Sequence, residues 1–306
     1  MATRRTPAKR TPAKRAPAKR RPAAASPTAA PASRAEGPVV PPADAPRLTD
    51  AQLGNLMRLI KGADTVELKV TVSADQHRAT VQGLPIDPVE AQPRQVFFFD
   101  TPDLALNAAG LVVRARRIQG GRGDTVIKLR PVEPDDLPAD IRKQADFNVE
   151  VDALPGGFVC SASYKGRSTG QEIREAVSGK LPIRRLFSKT QRAFFKEHAP
   201  EGVDLDSLLV LGPTFLLKSR FPIRSGFDPR APERLLVGEM WLYPDGSRIF
   251  ELSTKCLPSD AFTVATEVRA YLAGRGIDLG AVQQTKTRTA LEYYAAQLAA
   301  AADAGA

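Results

Sequence analysis

The stretch that most constrains the fold of this chain is residues 95–116, QVFFFDTPDLALNAAGLVVRAR. Its order of apolar residues, Asp-Thr-Pro and Gly110 predicts a strand, a turn, a short helix that ends at the glycine, and a second strand. The second strand carries Arg114 and Arg116 two residues apart, so both side chains lie on one face. The chain must therefore place paired cations on one side of a sheet that is otherwise apolar.

The same alternation recurs in the other strands that the sequence predicts, over 65–72, 125–130, 147–151, 214–221, 235–243 and 247–255. A Pro-Asp-Gly turn joins the last two as a hairpin. The charged faces carry both signs but lean towards cations. The cations are Lys69, Arg114, Arg116, Lys128, Arg130, Lys218, Arg220 and Lys255, and the carboxylates are Glu67, Glu150, Asp152 and Glu251, with Asp245 at the hairpin turn.

Two architectures fit this alternation. An open sheet would turn its charged face to water, whereas a closed sheet would surround a charged cavity. Helices predicted over 50–60, 171–177, 260–274 and 287–300 could cover the apolar outside of a closed sheet. Together with the excess of Arg and Lys, they favour an α+β fold with a β-tunnel.

Many cations around one cavity suit the several negative charges of a polyphosphate, because Arg grips phosphate oxygens in bidentate fashion. Carboxylates on the same walls would repel such a ligand unless a hard divalent cation, Mg²⁺ or Mn²⁺, bridges them. The chain has two histidines and two cysteines, which argues against His/Cys zinc sites and histidine-based triads.

The net charge of +10 belongs to a tail. Residues 1–34 hold ten basic side chains and no acidic one, and residues 6–20 repeat the unit TPAKR, TPAKR, APAKR. We expect residues 1–47 to be a disordered tail and linker, in which residues 4–21 either contact nucleic acid or another polyanion or are simply solvated. No apolar run is long enough for a membrane helix and no secretory signal follows the basic residues, so a cytoplasmic location is expected, with no membrane partner.

The segment VELKV, followed by QVFFFDTPDLALNAAGLVVRAR, resembles the CYTH family of triphosphate tunnel metalloenzymes. That family opens on Glu-x-Glu-x-Lys and continues with an aromatic strand, Asp-Thr-Pro, Leu, Gly and Arg-x-Arg. The later stretches TVIKLRP, FNVEVDA, the segment that begins at Arg192, and RIFELS resemble its subsequent elements in order. The resemblance implies an eight-stranded antiparallel tunnel. We assign this domain to residues 48–300 and expect a disordered end at 301–306.

The resemblance also implies roles for individual residues. The implied metal ligands and catalytic residues are Glu67, Glu150, Asp152 and Glu251. The implied phosphate-binding residues are Lys69, Arg114, Arg116, Lys128, Arg130, Arg192, Lys218 and Arg220. Thr65 and Ser253 stand where the family has glutamates, and Asn148 stands where an arginine is common.

The function expected from these features is metal-dependent hydrolysis of inorganic, nucleoside or thiamine triphosphate in the tunnel. The alternative is a catalytically degenerate protein that binds polyphosphate or another polyanion without hydrolysing it. The absence of glutamates at Thr65 and Ser253 favours this alternative. Adenylate cyclase activity ranks third, since no purine pocket can be identified in the sequence.

Overall fold

The computed structural model of the chain describes residues 48–224, 233–280 and 286–304, the last four by backbone only. The predicted tail and linker, residues 1–47, lie outside the described residues. So do residues 305 and 306 of the predicted disordered end, whereas residues 301–304 continue the last helix.

Nine strands form a closed barrel within the described part of the chain, one more than the eight that the resemblance implies. They are β1 Thr65–Val72, β2 Gln92–Asp100, β3 Leu111–Ile118, β4 Gly123–Leu129, β5 Phe147–Leu154, β6 Gly157–Ser168, β7 Leu209–Ile223, β8 Arg234–Leu242 and β9 Arg248–Cys256. Around the barrel the order is β1-β5-β6-β4-β3-β2-β7-β8-β9, and β9 pairs with β1 to close it. The predicted α+β tunnel is confirmed.

Two features of the barrel differ from the prediction. β1 and β5 run parallel, while the other neighbours are antiparallel. Strand β6 was not predicted, because its sequence GFVCSASYKGRS is rich in glycine and serine, which are weak strand formers. Its side chains nevertheless alternate between the two faces of the sheet. Ser161, Ser163 and Lys165 lie opposite the inward residues of the neighbouring strands.

Helices surround the barrel and cover its apolar outer faces. They are α1 Asp50–Gly62, α2 His77–Gly83, α3 Ala105–Ala108, α4 Ala139–Arg142, α5 Gly170–Val177, α6 Lys189–His198, α7 Ala261–Ala273 and α8 Lys286–Ala304. Helices α1, α3, α5 and α6 contribute to one large core with the outward residues of the β1–β6 half. Helix α7 and the end of α2 pack on β1, β7, β8 and β9 in a second core.

Local sequence explains where these elements begin and end. Thr49 caps α1: its Oγ1 accepts the Gln52 N–H at 3.2 Å, and the Gln52 side chain accepts the Thr49 N–H at 2.9 Å. Between β2 and β3, the buried Asp100 carboxylate accepts the backbone N–H groups of Leu106 and Asn107 at 2.9 and 3.0 Å. The Asp-Thr-Pro motif therefore holds the turn that delivers β3 to the barrel.

A third apolar cluster fills one end of the barrel interior. Phe98, Leu216, Trp241 and Ile249 lie on the inward faces of their strands by register, and they pack with Ala290 and Leu291 of α8 and their neighbours. Helix α8 thus closes this end of the tunnel. No helix among the described residues combines the length and apolarity that crossing a membrane requires.

Candidate functional site

The interior beyond the apolar end is lined by charged side chains from the inward faces of the strands. The sequence-predicted residues Glu67, Lys69, Arg114, Arg116, Lys128, Glu150, Asp152, Lys218, Arg220 and Glu251 all occupy this set of alternating positions, and Arg130 follows directly after β4. Each strand presents its charges inward because its other face is apolar and is covered by helices.

Three carboxylates lie together where β1 and β5 run side by side. Glu67 is opposite Asp152 in the register, and Glu150 lies two residues before Asp152 on the same face. One oxygen from each of these three residues lies within 4.8 Å of the others. Oxygen ligands at this spacing are suited to a hard divalent cation such as Mg²⁺ or Mn²⁺.

Lys69 and Lys128 form ion pairs with this acidic cluster. Lys69 Nζ is 3.1 Å from Glu67 and 2.9 Å from Asp152, while Lys128 Nζ is 3.3 Å from Asp152. Burial alone would raise the pKa of Asp152, but Lys128 and Lys69 outweigh it and hold that pKa below its usual range. Burial would lower the pKa of Lys69, and Glu67 and Asp152 reverse the shift and raise it.

Lys255 is the third ammonium at the cluster and lies nearer the solvent. It forms an ion pair with Glu150 and lies 3.6 Å from Glu67, with its side chain 48% exposed. Burial opposes ionisation of Glu67, yet Lys69 and Lys255 together lower its pKa. Three carboxylates thus face three ammonium groups, so a divalent cation would have to displace lysines from the oxygens that it binds.

Thr65 and Ser253, which stand where the resemblance predicts glutamates, also face the interior. Thr65 Oγ1 donates to Glu150 Oε2 at 3.3 Å and accepts from Asn148 Nδ2 at 3.2 Å. Ser253 is buried and lies opposite Lys69 in the register. Asp64, directly before Thr65, does not supply the carboxylate that is absent at Thr65. Its own carboxylate accepts the Val149 N–H at 2.7 Å and pairs with Arg142 outside the tunnel.

Arginines line another part of the wall. Arg116 forms a bidentate pair with Asp124, with two N–O distances of 2.8 Å. Arg114 Nε is buried and has no hydrogen-bond partner among the described residues. Burial, and then the neighbouring Arg116, lowers the pKa of Arg114, because Asp124 compensates only in part. The Asp124 carboxylate bonds to Arg116 and acts on Arg114 only as a neighbouring charge, which leaves a surplus of positive charge facing the cavity.

Glu251, a predicted metal ligand, belongs to a second acidic pair and is not part of the group formed by Glu67, Glu150 and Asp152. Glu251 faces Glu239 directly across β8 and β9. Lys286, the first residue of α8, places its Nζ 2.7 Å from both carboxylates, and Lys218 lies 2.9 Å from Glu239. Burial opposes the charge on Glu239, but Lys286 and Lys218 lower its pKa well below the usual value.

Arg192 does not reach the tunnel, which corrects its assignment as a phosphate-binding residue. It is exposed on α6, and its Nη1 donates to the Phe187 carbonyl at 2.6 Å. The adjacent Gln191 is the residue that faces the barrel, where it bonds the carbonyls of Thr125 and Tyr164 from outside. The segment at Arg192 is therefore a helix that covers the barrel.

Sequence reasoning missed several interior residues: Arg94, Asp124, Lys165, Glu239 and Lys286. The alternation of β2 and β8 could have shown Arg94 and Glu239, since each is two residues from another inward position. Lys165 was missed with its strand. No local signal marks Lys286, because it enters the site from a helix.

Comparison with solved structures identifies the architecture. A Hippeastrum protein, described as a candidate adenylyl cyclase with a dominant triphosphatase activity, matches with a TM-score of 0.54 and 16% identity over 74% of this chain and 94% of that chain. This chain has the CYTH-type tunnel fold.

Two bacterial structures described as candidate adenylate cyclases also match. The one from Bacillus halodurans has a TM-score of 0.49 and 14% identity, over 74% of this chain and 98% of that chain. The one from Vibrio parahaemolyticus has a TM-score of 0.37 and 12% identity, over 74% and 97%. No family model and no curated protein sequence matches the chain.

Proposed function

We propose that the tunnel binds a triphosphate and hydrolyses it with the help of a divalent cation. The observation that carries this proposal is the surplus of positive charge at Arg114 and Arg116 in the same interior as the acidic cluster. Leaving a guanidinium group desolvated and incompletely paired is costly, and a phosphate oxygen would remove that cost. The triphosphatase activity described for the Hippeastrum protein supports the proposal by analogy of fold.

The residues divide into two groups in this proposal. Glu67, Glu150 and Asp152 would hold Mg²⁺ or Mn²⁺, which when bound supplies charge neutralisation and orients water for attack on the terminal phosphoryl group. Lys69 and Lys128 can turn from the carboxylates to phosphate oxygens, since ammonium groups on flexible stems exchange partners readily. Arg114 and Arg116 fix the orientation of the phosphate chain through bidentate contacts.

Phosphate release from purified full-length protein tests the proposal. The panel contains inorganic triphosphate, ATP and thiamine triphosphate, each with Mg²⁺, with Mn²⁺ and with chelator, and the ATP reactions are also assayed for cyclic AMP. We expect metal-dependent release from at least one substrate. Arg114→Gln should lower kcat/KM about 100-fold, as the loss of a charge-assisted contact in a buried site predicts.

Arg117→Gln is the matched control. Arg117 also has a buried Nε without a hydrogen-bond partner among the described residues, but it turns to the other face of β3, where it contacts Gln95. Its activity should stay within about twofold of the parent chain. An absence of release across the whole panel would refute hydrolysis, and equal losses in the two variants would refute the role of Arg114.

A second candidate function is retention of the phosphate chain without hydrolysis. It is favoured by the balance of three ammonium groups against three carboxylates, and by Thr65 and Ser253 where further carboxylates would strengthen a metal site. In this case triphosphate raises the melting temperature without turnover. The effect persists with chelator and in Glu67→Ala, whereas under the hydrolase proposal Glu67→Ala abolishes metal-dependent release.

A further inference from the structure

Arg94 is a buried cation that the triphosphate site leaves unused. It lies on the inward face of β2 and exposes only 8% of its surface. Its Nη2 donates to Gln92 Oε1 at 2.7 Å, but its Nε has no hydrogen-bond partner among the described residues. Burial, and then the nearby Arg116, lowers the pKa of Arg94, although Glu239 and Asp124 act in the opposite direction.

Arg94 faces a cavity of about 440 Å³ at the start of β2. Lys218 and Arg220 of β7 line the same cavity, together with two carboxylates, Asp87 and Glu90, of the segment before β2. Lys218 is already paired with Glu239, whereas Arg220 is exposed and forms no ion pair with a described carboxylate. The cavity therefore combines one deep and one outer guanidinium group that are both available to a ligand.

The lining indicates the kind of ligand. No described aromatic side chain contributes to the cavity, so a nucleobase or a thiamine ring would find no stacking partner there. The guanidinium groups instead suit phosphate oxygens, which they bind in bidentate fashion. The cavity also lies next to the proposed triphosphate site. Arg94 is two residues from Val96 on the same face of β2, and Val96 pairs with Arg116 on the neighbouring strand.

We infer that Arg94 and Arg220 form an additional phosphate subsite, which holds the phosphate beyond the third in a linear inorganic polyphosphate. This assignment rests on the proposed function, since it extends the chain of phosphates that Arg114 and Arg116 begin. It makes Arg94 a specificity-determining residue for the length of the chain. Chains of four or more phosphates are then preferred to triphosphate and to triphosphates whose end carries an organic group.

Calorimetric titration of the full-length protein with inorganic triphosphate and inorganic tetraphosphate, in the presence of chelator, measures the subsite directly. We expect tetraphosphate to bind about tenfold more tightly than triphosphate, as one added charge-assisted contact predicts. Arg94→Gln should remove most of this preference while the Kd for triphosphate stays within about twofold. Arg220→Gln, at an exposed position that does not threaten folding, should weaken tetraphosphate binding about tenfold.

Arg117→Gln is again the control and should keep the preference of the parent chain. The basic tail is present in every variant, so its own affinity for phosphate cancels in the comparison. If Arg94→Gln weakens the binding of triphosphate and tetraphosphate equally, Arg94 belongs to the triphosphate site and the subsite is overturned. A preference for tetraphosphate that survives both substitutions would also overturn it. If the parent chain binds triphosphate at least as tightly as tetraphosphate, the subsite alone fails. If it binds neither in chelator, the subsite fails, and the metal-dependent phosphate-release panel then decides the proposed function.

Discussion

Gly110 is the residue on which the delivery of β3 into the barrel depends. Its φ of +76° lies in the left-handed region, and a Cβ there would lie 2.2 Å from the Arg130 carbonyl oxygen. The Gly110 carbonyl in turn accepts the Arg130 N–H at 2.9 Å. The glycine therefore permits a close backbone contact between the start of β3 and the end of β4, the two strands that carry Arg114, Arg116 and Lys128.

Gly110→Ala is expected to lower the free energy of unfolding by about 3 kcal/mol, because it combines an unfavourable φ with a backbone clash. Gly120→Ala is the control, since Gly120 has a φ of +69° but a Cβ added to it would meet no described atom within 4 Å. That change should cost only about 1 kcal/mol. Urea unfolding measures both, and equal losses would show that the contact with Arg130 is unimportant.

Helix α8 has two roles at the scale of elements. Its apolar residues Ala290 and Leu291 close one end of the barrel, and Lys286 at its first position neutralises Glu239 and Glu251 inside. Tyr294 fixes the helix to the barrel, where its hydroxyl donates to the Pro213 carbonyl at 2.6 Å. The helix thus contributes both packing and charge to the tunnel.

Lys286→Met should lower the free energy of unfolding by about 3–5 kcal/mol, because two buried carboxylates that face each other lose the cation they share. Arg288→Met is the control on the same helix, since Arg288 pairs with Glu292 at the surface and its loss should cost less than about 1 kcal/mol. Thermal and urea unfolding compare the variants. A loss at Lys286 no larger than that at Arg288 would contradict the buried bridge.

The elements themselves were largely predictable. The alternation of apolar and polar residues, with the apolar run of residues 96–99, identified eight strands, and Gly110 located the end of the short helix before β3. Strand β6 was not predicted because its serines and glycines lack the apolar pattern of a strand. In the structure it pairs by hydrogen bonds with β4 on one side and β5 on the other. Arg192 was misplaced because a short motif does not show which side of a helix meets the barrel.

At the scale of the whole molecule, the ion pairs inside the tunnel contribute a stability that depends on pH. Glu67, Asp152 and Glu239 all have pKa values below their usual range because the lysines around them outweigh burial. Their folded-state pKa values lie below the unfolded ones, so the unfolded chain takes up protons first as the pH falls. The stability that these pairs contribute is present above the unfolded pKa values and is lost as the pH falls through the folded ones.

We therefore expect the melting temperature to fall steadily below about pH 4.5. Asp100 works in the opposite direction, since burial raises its pKa, but the pKa values of four interior carboxylates are lowered, because Asp124 beside Arg116 behaves like the other three. Glu67→Gln should make the fall of the melting temperature in acid less steep, because it removes one of these carboxylates. A melting temperature that is constant from neutral pH to pH 3 would show that the tunnel pairs contribute nothing to stability.

The basic tail remains a separate prediction. Its ten cations and repeated TPAKR unit come from the sequence alone, and its binding of nucleic acid or another polyanion stays a proposal. The rest of the chain balances 34 basic against 34 acidic residues, so the surplus of cations within the tunnel reflects their placement rather than the overall composition.

The sequence by itself determined which side chains face inward, because the alternation of a strand is a local property and reads directly from Glu67 and Lys69 or from Arg114 and Arg116. Only the tertiary structure decided which of them meet. The parallel pairing of β1 with β5 joins Glu67 to Glu150 and Asp152, and the return of α8 brings Lys286 to Glu239 and Glu251. Barrel closure sets these contacts between distant segments, and no local periodicity encodes the strand order.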